Sequence, residues 1–344
     1  MSENKILFIF VPGMFGSVLC KRKNNKVVYP PTVKQQLFPS YRRRVYEKYI
    51  LNPRAQLVPR GILKTYCFSD IYKTFLDSIK QQVPGVRVLE FSYDWRKWIP
   101  VLIEELHNYL AFYTETEKNK NIPIVLCGHS LGGFLIRLLL EQHPRARNFN
   151  YIDRVKAAIF CGTPFFGKHN LARLINACLQ EKKIPSDMNA LATMFDDNPV
   201  VRNFEAAKLL TVFYKSILPL IRLEDLTHYL TPDDVGGERE FYELYDFLVK
   251  NNTINRYSQN IKYIFVNNAG YTMSPGDGCL PRIFGTDGII GYTDADLVKI
   301  NSLFNSVRVC GRLKVSHARL LTDTTVINKI IGELLELRFD KVVL

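Results

Sequence analysis

One stretch near the middle of the chain, residues 122–142, constrains the fold more than any other. It opens with an apolar run from Ile122 to Cys127, which is typical of a strand buried inside a parallel sheet. The run stops at Gly128-His129-Ser130-Leu131-Gly132, and a helical pattern of apolar residues follows at once. In this context a Gly-x-Ser-x-Gly sequence holds its serine on a sharp turn, with the hydroxyl clear of the sheet. The sequence therefore predicts that Ser130 is a nucleophile.

Two less specific interpretations of this turn stay open. A glycine-rich turn from strand to helix can be purely structural, and a similar turn can bind phosphate. The phosphate interpretation is weak because the Gly-Lys-Ser/Thr sequence of such loops does not follow here. The nucleophile interpretation also accounts for Gly128, Gly132 and Gly133, because strand and helix backbones nearly collide at a turn of this kind.

A serine hydroxyl is a poor nucleophile at neutral pH, so this chemistry requires a base and a carboxylate that orients the base. The six histidines are the candidates for the base: His107, His129, His143, His169, His228 and His317. We prefer His317 because it lies late in the chain, between a strand predicted at residues 307–313 and a helix predicted at residues 324–337.

The orienting carboxylate is expected between the serine and the base in the chain. Two aspartates fit that position: Asp277 in Pro-Gly-Asp-Gly and Asp287 in Gly-Thr-Asp-Gly. Both belong to Asp-Gly pairs, which are also ordinary turn signals. We prefer Asp287 and keep Asp277 as the alternative acid.

A loop near the start of the chain supplies a candidate oxyanion hole. An apolar strand is predicted at residues 5–11, and Pro12-Gly13-Met14-Phe15-Gly16 follows it. Such a loop can turn a backbone N–H toward the nucleophile, and the residue after the nucleophile supplies a second N–H. Met14 and Leu131 are the candidates, although residues 12–16 also fit a simple turn between strand and helix.

Positive charge is concentrated at the start of the chain. Residues 1–64 contain 13 lysines and arginines against 2 acidic residues, whereas residues 65–344 contain 33 against 31. We call residues 21–64 the basic excursion, since they are also weakly periodic and contain prolines. The densest clusters are Lys21-Arg22-Lys23 and Arg42-Arg43-Arg44, with tyrosines such as Tyr41 and Tyr46 nearby.

Such a patch suits an anionic surface, either phospholipid headgroups or nucleic acid, unless it is a solvated loop with no partner. The sequence contains no known nucleic-acid-binding motif, so a nucleic-acid partner is not expected. The two clusters are predicted to bind an anionic membrane surface, with Tyr41 and Tyr46 at the level of the headgroups.

The order of predicted elements indicates the fold class. Alternating strands and helices predict a mostly parallel, doubly wound α/β sheet. We expect residues 1–167 and 259–344 to form the two parts of this core. Residues 168–258 are aromatic-rich and interrupted by prolines, and are predicted to form an inserted helical cap. Elaborated crossover helices are the alternative for that segment.

Composition also bears on the compartment. Residues 6–20 are apolar, but Glu3, Pro12 and Gly13 argue for a buried strand and loop rather than a signal peptide. Seven scattered cysteines give neither a disulfide framework nor a C-x-x-C metal spacing. We therefore expect a cytoplasmic protein, compatible with peripheral attachment to membranes, and no metal or organic cofactor.

Several motifs, taken together and in order, resemble the lecithin:cholesterol acyltransferase-like branch of the α/β-hydrolases, which includes lysosomal phospholipase A2 and the phospholipid:diacylglycerol acyltransferases. The motifs are Phe10-Val11-Pro12-Gly13, Ser92-Tyr93-Asp94-Trp95-Arg96, Gly128-His129-Ser130-Leu131-Gly132-Gly133, Gly162-Thr163-Pro164 and Ser316-His317. Residues 276–281 resemble the start of the family's acid segment, and residues 287–295 resemble its later part. We expect a structural role for Asp94-Trp95-Arg96.

The resemblance implies an α/β-hydrolase fold and a serine-dependent hydrolase or O-acyltransferase acting on glycerolipid esters, among them glycerophospholipids. It implies that Ser130 forms an acyl-serine, that His317 transfers the proton and that Asp287 orients His317. The N–H groups of Met14 and Leu131 would stabilise the oxyanion. Two other functions stay open: a soluble carboxylesterase for small esters, and a non-catalytic lipid-binding protein with this fold.

Overall fold

The computed structural model describes residues 6–52, 54–116, 120–142, 151–167, 171–181, 215, 217–252, 260–266, 284–286, 291–292 and 317–337. The described strands are β1 (Ile6–Val11), β2 (Ser17–Lys21), β3 (Val27–Tyr29), β4 (Leu57–Ile62), β5 (Thr65–Tyr66), β6 (Ser69–Asp70), β7 (Val86–Glu90), β8 (Ile124–His129), β9 (Val155–Cys161), β10 (Lys262–Val266), β11 (Phe284–Thr286) and β12 (Gly291–Tyr292). The described α-helices are α1 (Val33–Leu37), α2 (Pro39–Val45), α3 (Lys73–Gln82), α4 (Ile99–Thr114), α5 (Leu131–Gln142), α6 (Leu171–Glu181), α7 (Leu223–Tyr229), α8 (Pro232–Val235), α9 (Glu238–Asn252) and α10 (Thr324–Glu336).

Five of these strands form the central sheet, in the order β10–β9–β8–β1–β7, and every neighbouring pair is parallel. In its middle, Ile9 of β1 pairs with Leu89 on one side and Leu126 on the other. The inner strands β1 and β8 are buried at every position, as expected for a sheet covered on both faces. The predicted α/β-hydrolase type of doubly wound sheet is thus confirmed.

Alternate side chains of the strands feed two separate cores, because successive residues of a strand point to opposite faces. In β1, Phe8 and Phe10 contact the core beneath α3 and α10, while Ile9 and Val11 contact the core beneath α4 and α5. Burial of each such side chain contributes about 1.5 to 3 kcal/mol relative to exposure. The two cores hold the five parallel strands in place, so that their carboxyl ends lie along one edge of the sheet.

Several elements match their predicted bounds. The apolar patterns of the sequence predict a helix at residues 99–114 and a strand at residues 155–161, and α4 and β9 have these bounds. Helix α10 ends one residue earlier than predicted. The near-helical spacing of apolar residues predicts a helix at residues 68–83. Helix α3 begins at Lys73 instead, because residues 65–70 form the small antiparallel hairpin of β5 and β6. The strand predicted at residues 307–313 lies outside the described residues.

The basic excursion contains regular structure that its weak periodicity did not predict. Strand β2 pairs with both β3 and β4 in an antiparallel sheet. Helix α1 begins with a capping box, in which the Thr32 hydroxyl accepts from the Gln35 N–H and the Gln35 side chain accepts from the Thr32 N–H. Helix α2 continues into a π-helical turn, Tyr46–Ile50.

The described parts of residues 168–258 are mostly helical, with α6 first and then α7, α8 and α9. The boundaries of an inserted cap stay a prediction. Within the described ranges, no helix is long and apolar enough to cross a bilayer.

Candidate active site

Ser130 is the single residue between β8 and α5, and its backbone φ is 52°. A non-glycine residue in this left-handed region costs about 1 to 3 kcal/mol, so the fold must hold it there. The Ser130 N–H donates to the Cys161 carbonyl at 2.8 Å, and the Ser130 carbonyl accepts from Gly133 and Phe134 at 3.0 and 3.2 Å. These bonds tie the turn to β9 on one side and to the first turn of α5 on the other.

Steric contact explains the glycines around the serine. A Cβ atom on Gly132 would lie 2.5 Å from the Pro12 carbonyl oxygen and closer still to the Val11 carbonyl oxygen. A Cβ atom on Gly128 would overlap the backbone of Gly133. Backbone atoms cannot move aside as a flexible side chain can, so the turn closes only with glycine at both positions. This is the geometry of a nucleophile elbow, the name we use for residues 128–133.

The loop after β1 lies directly beside the elbow. A Cβ atom on Gly13 would lie 3.1 Å from the Ser130 Cβ. The loop is closed by the Gly16 N–H, which donates to the Gly13 carbonyl at 3.0 Å, and Phe15 has a φ of 64°. Among the residues that the structure describes, neither the Met14 N–H nor the Leu131 N–H donates to a partner. Their assignment as an oxyanion hole stays a prediction.

The histidine inside the elbow joins two other segments. Its ring is buried, its Nδ1 lies 2.9 Å from the Tyr72 hydroxyl, and its Nε2 lies 3.2 Å from the His317 carbonyl oxygen. The Tyr72 oxygen also accepts from the Gly13 N–H at 3.1 Å. Burial raises the pKa of Tyr72, so its hydroxyl is protonated at neutral pH. Sequence reasoning missed Tyr72.

His317 begins a short 3₁₀ turn, His317–Arg319, just before α10. Its ring is buried, and the ring centroids of His317 and His129 lie 4.8 Å apart. Helix α10 begins at a capped end, because the Asp323 side chain accepts from the N–H groups of Thr325 and Val326. The fold thus brings His317 next to the neighbour of Ser130. Its role as the base stays a prediction, and Asp277 and Asp287 both lie outside the described residues.

Asp94-Trp95-Arg96 has structural contacts. The Arg96 guanidinium donates to both carboxylate oxygens of Asp94, at 2.8 and 2.6 Å, and both side chains are buried. The same guanidinium donates to the carbonyls of Tyr49 and Ala55 in the basic excursion. The Trp95 ring packs edge-on against Phe15 at 4.5 Å. The triplet therefore supports the loop beside Ser130 and anchors the excursion to the core.

A small apolar pocket lies between α5, the loop after β9 and the described helical part of residues 168–258. Its lining is formed by Phe134, Phe165, Phe166, Gly167, Pro219, Ile221, Leu223 and Leu248. Phe134 belongs to the first turn of α5, and its N–H donates to the Ser130 carbonyl. The pocket offers an apolar environment within one helical turn of the elbow.

Two residues of the basic excursion that were predicted to face a membrane make contacts within the protein instead. Tyr46 is 2% exposed and packs in the core, so its predicted place at headgroup level is wrong. The Lys21 ammonium donates to the Tyr49 hydroxyl at 2.6 Å and lies 3.9 Å from the centre of that ring. Lys21 therefore takes part in a contact within the protein.

Other side chains of the excursion face outward. Arg22, Lys23 and Arg44 are exposed, while the side chains of Arg42 and Arg43 are outside the described part of the chain. Two apolar side chains, Leu37 and Phe38, are 70% and 56% exposed. The nearby basic and aromatic residues of α1, α2 and the π-helical turn include Lys34, Tyr41, Arg44 and Lys48, all of them exposed.

Comparison with known proteins finds a family model and two curated relatives that match part of the chain. A family model described as lecithin:cholesterol acyltransferase matches residues 31–189. Protein SERAC1 of Bos taurus is 27% identical over 134 residues, which cover 35% of this chain and 20% of that protein. Protein SERAC1 of Homo sapiens is 25% identical over 134 residues, with the same coverage. The match therefore spans about a fifth of the length of these relatives.

Among solved structures, a lipase-esterase related protein from Clostridium acetobutylicum ATCC 824 aligns with 96% of this chain and 93% of its own. The TM-score is 0.43 and the sequence identity is 8%. The family match carries more weight, because residues 31–189 contain Ser130, the Asp94-Trp95-Arg96 triplet and Gly162-Thr163-Pro164. Residues 31–189, a little less than half of the chain, thus match the lecithin:cholesterol acyltransferase family.

Proposed function

We propose that this chain is a serine-dependent enzyme that hydrolyses or transfers the acyl groups of glycerolipid esters. The observation that carries the proposal is Ser130, held at a φ of 52° between β8 and α5 with the Gly13 loop against it. A serine in this place stands at the positive end of a helix, where negative charge that develops on a carbonyl oxygen is stabilised.

In the proposed reaction the Ser130 hydroxyl oxygen attacks the ester carbonyl carbon, and its proton passes to the ring of His317. The N–H groups of Met14 and Leu131 stabilise the negative oxygen. The tetrahedral intermediate then expels the lipid alcohol, which takes the proton back from His317. Asp287, or Asp277 as the alternative, holds the ring in the required orientation.

The acyl-serine is then released by one of two acceptors. Water gives a free fatty acid, and a lipid alcohol gives a new ester. In both cases His317 removes the acceptor's proton and returns it to Ser130. The apolar pocket beside Phe134 supports an acyl group as the part of the substrate that the protein holds.

We also propose that the basic excursion docks the enzyme on anionic phospholipid at a cytoplasmic membrane surface. Exposed Arg22, Lys23 and Arg44 support this, and Arg42 and Arg43 belong to the same cluster in the sequence. Exposed Leu37 and Phe38 would enter the headgroup layer in place of Tyr46. Each lysine or arginine near an anionic bilayer contributes about 1 kcal/mol.

Turnover by the wild type and by Ser130→Ala on two kinds of substrate tests the proposal. One is glycerophospholipid in anionic vesicles, and the other is a short soluble ester. We expect Ser130-dependent acyl release from the vesicles. Turnover of the soluble ester alone would indicate a carboxylesterase for small substrates. Vesicle binding by folded protein without turnover of either substrate would indicate a non-catalytic lipid-binding protein.

A further inference from the structure

The strongest unassigned feature near Ser130 is the buried contact of Tyr72 with His129. Tyr72 lies just before α3, His129 precedes the serine, and both side chains are buried. The two residues are 57 positions apart, and each also bonds to a third segment. Tyr72 reaches the Gly13 loop, and His129 reaches the loop of His317. The contact thus spans all three segments that meet at the proposed active site.

The chemistry of the donors and acceptors fixes which group donates in each of these hydrogen bonds. The His317 carbonyl can only accept, so the Nε2 of His129 carries a proton. In a neutral ring the Nδ1 then accepts, and the Tyr72 hydroxyl donates to it. The Tyr72 oxygen accepts in turn from the Gly13 N–H. Each of these three hydrogen bonds has one donor and one acceptor when His129 is neutral and Tyr72 is protonated.

A charged His129 ring would break this pattern. Its Nδ1 would donate to Tyr72, whose own proton would then lose the acceptor it has in the buried contact. His129 is therefore suited to hold neighbouring groups in place rather than to exchange protons during a reaction.

The surrounding packing leaves Tyr72 little freedom. Its ring packs edge-on against Phe10 at 5.0 Å and against His129 at 5.7 Å. A Cβ atom on Gly16 would lie 3.1 Å from the Tyr72 ring, and one on Gly13 would lie 3.0 Å from the Nδ1 of His129. The two loop glycines leave the space that lets the tyrosine and the histidine meet behind the serine.

We propose that Tyr72 and His129 are positioning residues, which hold the Gly13–Met14 loop and the His317 loop in register with Ser130. This inference rests on the proposed serine mechanism. Neither side chain takes part in a chemical step. Their effect is on how accurately the oxyanion donors and the base meet the reacting carbonyl, and small errors in such placement are costly.

The test is steady-state kinetics of the full chain on a short soluble ester, together with thermal unfolding. Tyr72→Phe keeps the ring and removes the hydroxyl, which leaves the Gly13 N–H and the His129 Nδ1 without this partner. We expect kcat to fall about 10- to 100-fold while KM changes little. The matched control is Tyr66→Phe, which removes another buried hydroxyl, one that donates to the Pro31 carbonyl at 3.0 Å. That variant should keep the wild-type kcat.

Variants of the histidine supply a second readout. His129→Gln keeps a donor for the His317 carbonyl, whereas His129→Leu loses both bonds. We expect kcat to fall in the order wild type, Gln, Leu. If Tyr72→Phe does not fold, this series decides. A wild-type kcat in Tyr72→Phe or in His129→Leu overturns the inference. A kcat that falls as far in the control Tyr66→Phe as in Tyr72→Phe also overturns it. Folded wild type without Ser130-dependent turnover overturns the proposed function and this inference with it.

Discussion

The nucleophile elbow and the basic excursion are held in place by different kinds of contact. In the elbow, backbone meets backbone, and Gly128 and Gly132 leave no space for a side chain. In the excursion, side chains make the contacts: the buried Arg96 guanidinium donates to two of its carbonyls, Tyr29 and Tyr46 pack in the core, and many charged side chains point into solvent. Close backbone contact fixes the first region, whereas buried side chains, among them the Arg96 anchor, fix the second and leave its charges outward.

This difference indicates where the chain tolerates change. The elbow should respond to the addition of a single methyl group. The excursion should accept substitutions of its outward residues, with effects on binding to charged surfaces rather than on folding. Arg96 is the exception, because its side chain is buried and donates to carbonyl groups of the excursion.

The largest effect is expected from the proposed triad. His317→Ala and Asp287→Asn should each lower kcat by about 10⁴-fold or more, because the serine loses its base or the base loses its orientation. Asp277→Asn should be mildly affected. Kinetics on a short ester, with circular dichroism as the control for folding, measure this. An inactive Asp277→Asn beside a near-normal Asp287→Asn would assign the acid to Asp277.

The next effect concerns the anchor between the two regions. Arg96→Ala leaves the buried Asp94 carboxylate without its partner, so the free energy of unfolding should fall by about 3 to 5 kcal/mol. Arg239→Ala is the control, since its pair with Glu243 on α9 is exposed and should contribute nothing measurable. Urea unfolding of both variants measures the difference. Similar stabilities would mean that the Asp94–Arg96 pair does not anchor the excursion.

A methyl group in the elbow should have a somewhat smaller effect on stability. Gly132→Ala forces a Cβ against the Val11 and Pro12 carbonyl oxygens, which should destabilise the fold by about 3 kcal/mol. Gly332→Ala, in the middle of α10, has open space at the same position and should stabilise by about 0.5 to 1 kcal/mol. Thermal unfolding compares the pair. If both substitutions shift the midpoint alike, steric closure of the elbow is not the cause.

The smallest effect is expected at the surface of the excursion. Replacing Arg42, Arg43 and Arg44 with Gln should weaken binding to anionic vesicles by about 1 kcal/mol for each side chain that reaches the bilayer, mostly at low salt. Turnover of a short soluble ester should stay unchanged. Vesicle sedimentation across a salt series measures this, with Arg239→Gln as the control. If the wild type and the triple variant bind anionic vesicles equally at low salt, this cluster has no docking role. If the variant loses activity equally on vesicle phospholipid and on the soluble ester, the cluster supports the fold.

Long apolar patterns predicted the core well. Strand β9 and helix α4 stand where periodicity placed them, because burial on one or both faces leaves a regular trace in the sequence. The excursion's sheet was missed because β3 has three residues and β4 contains Pro59 and Gly61, which usually mark turns.

The site was predictable only where the chemistry is local. Ser130 lies inside a contiguous motif, and the structure places it on the expected turn. The contacts of His129 with Tyr72 and His317 join residues 57 and 188 positions apart, so no local pattern carries them. The only available signal was the rule that a buried histidine must find partners for both nitrogens. The prediction that Tyr46 lies at the level of the headgroups was wrong for a related reason. Its neighbours in the sequence are charged, and that pattern gave no sign that Tyr46 is buried.

The most direct test of the account is the site at which a fluorophosphonate reacts with the protein. Such a probe bonds covalently to a serine only where a base and an oxyanion hole activate it. We predict that the intact wild-type chain gains the mass of one phosphonate, that the modified peptide contains Ser130, and that Ser130→Ala does not react. A folded wild-type chain that does not react, or a Ser130→Ala variant that reacts as fast as the wild type, would contradict the account.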